Sequence, residues 1–245
     1  MIKKLYEKSE IWFAIVWIIT YVVLVSVGDN LSANMGVLKI VTLPILGVLS
    51  IIMYFFVRKN DLTEKYGLCK PQISSAKMLF YIPLIVLSTA NLWHDVVLNT
   101  SPLETLLYIL SMFLVGFLEE IIFRGFLFNA MVKNSVKSAI IVSSVTFGIG
   151  HIVNLINGSG AELLPTLLQV IYAIAIGYAF VMIYYKTKSL LICIITHGIF
   201  NGLGTFANEA VMTPQKQIII SVLVTIIAGG YALYIALVVK EKNTK

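Results

Sequence analysis

The stretch LVGFLEEIIFRG, residues 114–125, sets Glu119, Glu120 and Arg124 in an otherwise apolar run. A charge at the centre of a membrane helix costs about 2.5–3.5 kcal/mol on insertion scales, so each needs a partner or a task. Glu120 and Arg124 are four apart with the glutamate first, the favourable order for a helical ion pair. Glu119 is rotated by about 100° from its neighbour on a helix. Arg124 is therefore expected to engage Glu120 and to leave Glu119 facing a cavity. The alternative for Glu120 and Arg124 is a purely structural ion pair at the inner edge of the helix, which leaves Glu119 unexplained.

The rest of the chain extends this apolar setting. Of its 245 residues 59% are hydrophobic and 12% charged, with a mean hydropathy of +0.93. Water-soluble domains carry about 25% charged residues, so that class is excluded. Eight apolar segments are long enough to be read as bilayer spans: 11–27, 37–57, 78–98, 103–131, 139–153, 163–185, 190–206 and 217–239. The fifth and seventh are short. The first follows a basic N-terminus but no small-residue cleavage site follows it, so it reads as a retained span. The fold class is all-α: a polytopic membrane protein of about eight transmembrane helices with an intramembrane active-site cavity. It is one domain, 1–245, with a motif-bearing core at about 103–206.

Net charge is +6, from 18 basic and 12 acidic residues. The basic residues are spread over the ends of apolar segments, which reads as topology and not as a nucleic-acid surface. With eight spans, sixteen of the 18 fall on one side, and only Lys39 and Lys216 on the other. The expected location is the cell membrane, with cytoplasmic N- and C-termini. Arg58 and Arg124 are the only arginines, so a planar, permanently charged fork stands at 124 where lysine is the habit. Cys69 and Cys193, the only cysteines, have neither disulfide nor zinc-ligand spacing.

Two further apolar runs carry histidines. FGIGH ends at His151, with Phe147 on the same helical face, and THGIFN holds His197 and Asn201 on one face. Gly148, Gly150, Gly198, Gly202 and Gly204 thin these helices and permit close approach. Each histidine alone reads as interhelical packing glue. Their joint occurrence with Glu119 and Glu120, in three of eight spans, points to one buried acid–base site. His94 and Asp95, at the outer end of the third span, read as interfacial.

The ordered motifs EE-x-x-x-R, F-x-x-x-H and H-x-x-x-N resemble the CAAX protease and bacteriocin-processing (CPBP, or Abi) family of intramembrane endopeptidases, including CAAX prenyl protease 2-like members. Here they are Glu119-Glu120 to Arg124, Phe147 to His151 and His197 to Asn201. The resemblance implies hydrolysis of peptide bonds in a membrane-associated peptide or protein substrate, with the bilayer as the other partner. It implies Glu119 as general base with His151 beside it, His197 and Asn201 as an oxyanion hole, and Glu120 and Arg124 orienting the site. No cofactor is expected. The alternative is a catalytic zinc held by Glu119, His151 and His197 with an open fourth position, although the H-E-x-x-H signature is absent.

Three functions compete. The first is an endopeptidase whose site opens toward the cytoplasm. The second is a non-catalytic immunity or scaffold protein of the same fold. The third is a proton-coupled transporter, for which no repeated halves are evident.

Overall fold

The computed structural model describes residues 2–157 and 160–240, and all regular secondary structure among them is helical. Lys242 and Lys245, counted in the charge asymmetry, lie outside the described residues. A short α1 (Ile2–Lys8) leads into α2 (Glu10–Asn34), where the Ser9 side chain caps the Trp12 N–H. Next comes α3 (Thr42–Lys59).

The third apolar run is broken. A tight 3-10 stretch, Ser75–Tyr81, ends in left-handed Leu79, Phe80 and Tyr81, with φ of 50°, 50° and 58°. A right-handed helix cannot run through three such residues. Only α4 (Ile82–Ser88), with Pro83 in its first turn, is α-helical, and the run ends near Leu92 instead of Leu98.

A capping box of Ser101 and Glu104 starts α5 (Pro102–Glu120). It passes without interruption into a π-helical stretch, Ile121–Phe128, and then α6 (Asn129–Val132). The remaining helices are α7 (Val136–Gly150), α8 (Leu163–Thr187), α9 (Leu191–Leu203) and α10 (Pro214–Val238).

Among the described residues seven helical segments are long and apolar enough to cross a bilayer, and Leu191–Phe206 is a shorter one. The short segment nevertheless joins opposite ends of the bundle. The Leu190 N–H bonds the Gly67 carbonyl at 2.8 Å, just beyond α3, and the Phe206 carbonyl accepts from the Val97 N–H at 2.9 Å, beyond the third run. Among the described residues there are thus seven candidate spans and one shorter pass, close to the eight expected, and the protein is a multi-pass membrane protein.

The two ends are chemically distinct. At one, Glu10 bridges Lys65 (2.8 Å) and Lys133 (3.3 Å). At the other, Asp29 pairs with Lys39 at 2.7 Å, and Glu104 accepts from the Leu38 N–H. These are the lysine-rich and lysine-poor ends of the bundle.

Glycines permit close helix approaches around the site. A Cβ at Gly116 of α5 would meet the Gly198 nitrogen and Ile194 carbonyl of α9 at 3.0 Å, and one at Gly148 of α7 would meet the Ile174 nitrogen of α8 at 2.9 Å. Gly150 meets nothing and lines a cavity instead.

Candidate active site

The paired carboxylates stand at the junction of α5 and the π-helical stretch. Glu120 and Arg124 are both 0% exposed. Arg124 Nη1 donates to Glu120 Oε1 at 3.0 Å. The same oxygen faces His197 Nδ1 at 2.8 Å, so Nδ1 is the protonated nitrogen of that contact. The Arg124 guanidinium lies 4.1 Å from the Phe147 ring centroid, a cation–π contact that covers its flat face. Gly177 leaves room for it, since a Cβ there would meet Arg124 Nη2 at 3.1 Å. The π-helical register is fixed from α7, where Ser143 Oγ donates to the Phe123 carbonyl at 2.9 Å. Such stretches recur at functional sites.

Glu119 points elsewhere, as its rotation on the helix leads one to expect. Its Oε1 accepts a 2.7 Å hydrogen bond from the Tyr21 hydroxyl of α2, and its Oε2 lies 3.5 Å from His197 Nε2. His197 thus stands between the two carboxylates. Glu119 and His151 line one cavity of about 120 Å³ of mixed character, with Tyr21, Asp29 and Asn154 on its polar side and Val22, Val25 and Phe123 on its apolar side. His151, His197 and Asn201 line a second, mostly apolar one of about 30 Å³, walled by Tyr172, Phe180 and Phe200. His151 and Phe147 belong to both. The Phe147 ring stands edge-on to His151 (5.6 Å between centroids) and to His197 (5.7 Å), as a spacer between the imidazoles.

The three motifs, far apart in the chain, therefore meet at mid-depth. The depth of Glu119 depends on which cation marks the inner edge of its helix. Arg124 is fully buried while Lys133 reaches Glu10 at the bundle's end, so Lys133 is the edge. Glu119 lies ~21 Å along the helix from it. Arg124 accordingly leaves the count of inner-side cations.

Tyr21 was not among the residues singled out from sequence. It is one of 12 tyrosines in an apolar chain, and nothing local marks it. Asp95 accepts from the Val96 N–H and the Asn208 amide, as an interfacial group does. Both cysteines are free thiols.

The zinc alternative needs Glu119, His151 and His197 as ligands. Among the described residues no group of three or more His, Cys, Asp or Glu side chains is placed to hold a metal ion. His197 Nδ1 is engaged by Glu120, and Glu119 Oε1 by Tyr21. The set does not fit as it stands, and no step below passes through a metal.

From Glu119 the cavity runs to Asp29 and Asn157, at the lysine-poor end.

No curated protein matches the chain. The family described as Type II CAAX prenyl endopeptidase Rce1-like matches residues 101–203, 103 of the 245, a segment that contains all three motifs. The resemblance read from those motifs is borne out: over this segment the chain is similar to the Rce1-like type II CAAX prenyl endopeptidases of the CPBP family, which supports a CAAX-type intramembrane protease.

Proposed function

We propose that this protein is an intramembrane endopeptidase in which Glu119 activates water. The observation that carries the reading is the division between adjacent carboxylates. Glu120 is fully buried and held by Arg124 and His197, whereas Glu119 faces a cavity that His151 also lines. One carboxylate builds the site, and the other is left to react.

The Glu119 carboxylate removes a proton from a water held between it and His151. The resulting hydroxide adds to the scissile carbonyl carbon. Charge develops on the carbonyl oxygen, and donors placed there in advance lower the barrier. Asn201 offers its amide N–H, and His197 Nε2 offers a second donor when it carries a proton, Nδ1–H being given to Glu120. The proton on Glu119 then passes to the leaving nitrogen as the C–N bond breaks. The products are a free amine and a carboxylic acid, and Glu119 returns as carboxylate. Glu120 and Arg124 orient His197 and do not touch substrate.

The test is incubation of the purified protein, in lipid vesicles, with a defined library of membrane-associated peptides, read by mass spectrometry. New termini are expected at discrete peptide bonds, at an unchanged rate after the metal content has been brought below one tenth per molecule. No new termini would refute the proteolytic reading. Loss of cleavage on metal removal, restored by zinc, would refute the metal-free mechanism.

A further inference from the structure

The cavity that holds Glu119 is open at one end of the bundle and sealed at the other. Toward the lysine-poor end its wall follows α2 from Tyr21 past Ser26 to Asp29, and the 3-10 turn after α7 from His151 past Asn154 to Asn157. Asp29 and Asn157 also line a larger cavity of about 410 Å³, with Asn30, Lys39 and Glu104. Polar groups therefore lead from Glu119 to the rim. From Tyr21 to Asp29 the distance along α2 is ~12 Å.

Toward the lysine-rich end the bundle is closed by rings. Phe126, from the π-helical stretch, packs against Phe13 (4.9 Å), Tyr66 (4.9 Å), Trp17 (6.4 Å) and Phe56 (6.5 Å), measured between centroids. Phe13, Tyr66 and Phe126 are each 1% exposed. Below them the Tyr184 hydroxyl donates to the Lys65 carbonyl at 2.6 Å and ties the loop down. A hydrated path needs polar partners along its length; Phe13, Phe56 and Phe126 supply none, and the rings of Tyr66 and Trp17 pack against Phe126.

We infer that substrate reaches Glu119 through the vestibule at the lysine-poor end, which the positive-charge asymmetry places outside the cytoplasm. The substrates are then peptide segments presented at the extracytoplasmic surface. Ser26, Asn154 and Asn157 line the route; the Asn157 amide donates to Asn154 Oδ1 and the Asn154 amide to Gln169 Oε1, each at 3.4 Å. Asp29 is matched by Lys39, and Glu104 accepts from the Leu38 N–H. What passes through rests on the protease reading. The route itself rests on the packing, and its side of the membrane on the charge asymmetry.

The experiment is thiol labelling in intact cells with a membrane-impermeant maleimide, in a Cys69→Ser, Cys193→Ala background. Ser26→Cys and Asn154→Cys report on the vestibule, and Lys70→Cys, exposed in the loop after α3, reports on the lysine-rich end. Both vestibule variants are expected to label from outside, and Lys70→Cys only after permeabilisation. Vestibule labelling only after permeabilisation, or at neither stage in either variant, would overturn the inference. So would labelling of Lys70→Cys from outside. A second readout follows cleavage by the purified Ser26→Cys variant: a bulky maleimide on that residue is expected to slow it at least tenfold. Labelled protein that cleaves at full rate would overturn the route while leaving the protease reading intact. Absence of cleavage by unmodified protein would overturn the protease reading, with the labelling pattern still deciding the route.

Discussion

The Tyr21 hydroxyl donates to Glu119 Oε1 at 2.7 Å, joining residues 98 apart in the chain. Tyr21 lies outside the segment matched by the protease family, on the first long helix. Its bond fixes the carboxylate with one oxygen toward α2 and the other toward His197. A base held in this way needs little reorganisation when it takes a proton.

Tyr21→Phe removes that bond and keeps the ring. A hydrogen bond to a charged group contributes about 1.5–3 kcal/mol, so kcat should fall about ten- to a hundredfold, with KM within about twofold. Steady-state kinetics on the inserted variant separate this from a packing role, which would lower the yield of folded protein and leave kcat per folded molecule unchanged.

The Glu120–Arg124 pair is fully buried, so breaking it from one side leaves an uncompensated charge. Arg124→Gln should destabilise the protein by about 3–5 kcal/mol, and replacing both residues by apolar ones should recover much of that loss. Thermal unfolding in detergent measures both. Glu119→Gln, on the cavity wall, should unfold within a few degrees of the parent.

The apolar cavity beyond Asn201 measures about 30 Å³, room for about one water-sized group. Tyr172, Ile176 and Phe200 bound it. Cleavage should favour a small side chain, of alanine size, at the position that enters it. Tyr172→Ala should shift the kcat/KM ratio toward leucine at that position by at least about tenfold, the scale of one or two methylenes in an apolar pocket. A competition assay with paired peptides reads the ratio. An unchanged ratio would mean that the substrate does not enter this cavity.

Lys65 joins the loop after α3 to Glu10. Burial works against its ammonium, but hydrogen bonds to Glu10 and Tyr6 outweigh that and hold its pKa above the ordinary 10.5. A raised folded pKa adds stability that is complete below 10.5 and is lost as pH climbs through the raised value. The Tm in detergent should therefore fall more steeply above pH 10.5 for the parent than for Glu10→Gln, as a pH series of melting curves would show.

Much of this was legible because it is local. The four-residue step from Glu120 to Arg124 defines their pairing, and the 100° turn to Glu119 its separate direction. Apolar run lengths disclosed the eight passes. What escaped depends on distant packing. No signal in residues 78–81 announces three left-handed residues, and none in 121–128 announces a π-helical register imposed by contacts with α7. The choice between Arg124 and Lys133 as the membrane edge needed the position of Glu10. The aromatic layer escaped too, because Phe13, Trp17, Phe56, Tyr66 and Phe126 lie on several elements that only folding brings together.

The most direct measurement is cleavage of one identified peptide by the parent and by Glu119→Ala, both purified and reconstituted at matched insertion and matched Tm. The account predicts discrete cleavage by the parent and a loss of at least about a thousandfold in the variant, with peptide binding retained. Cleavage by Glu119→Ala at the parental rate would contradict it.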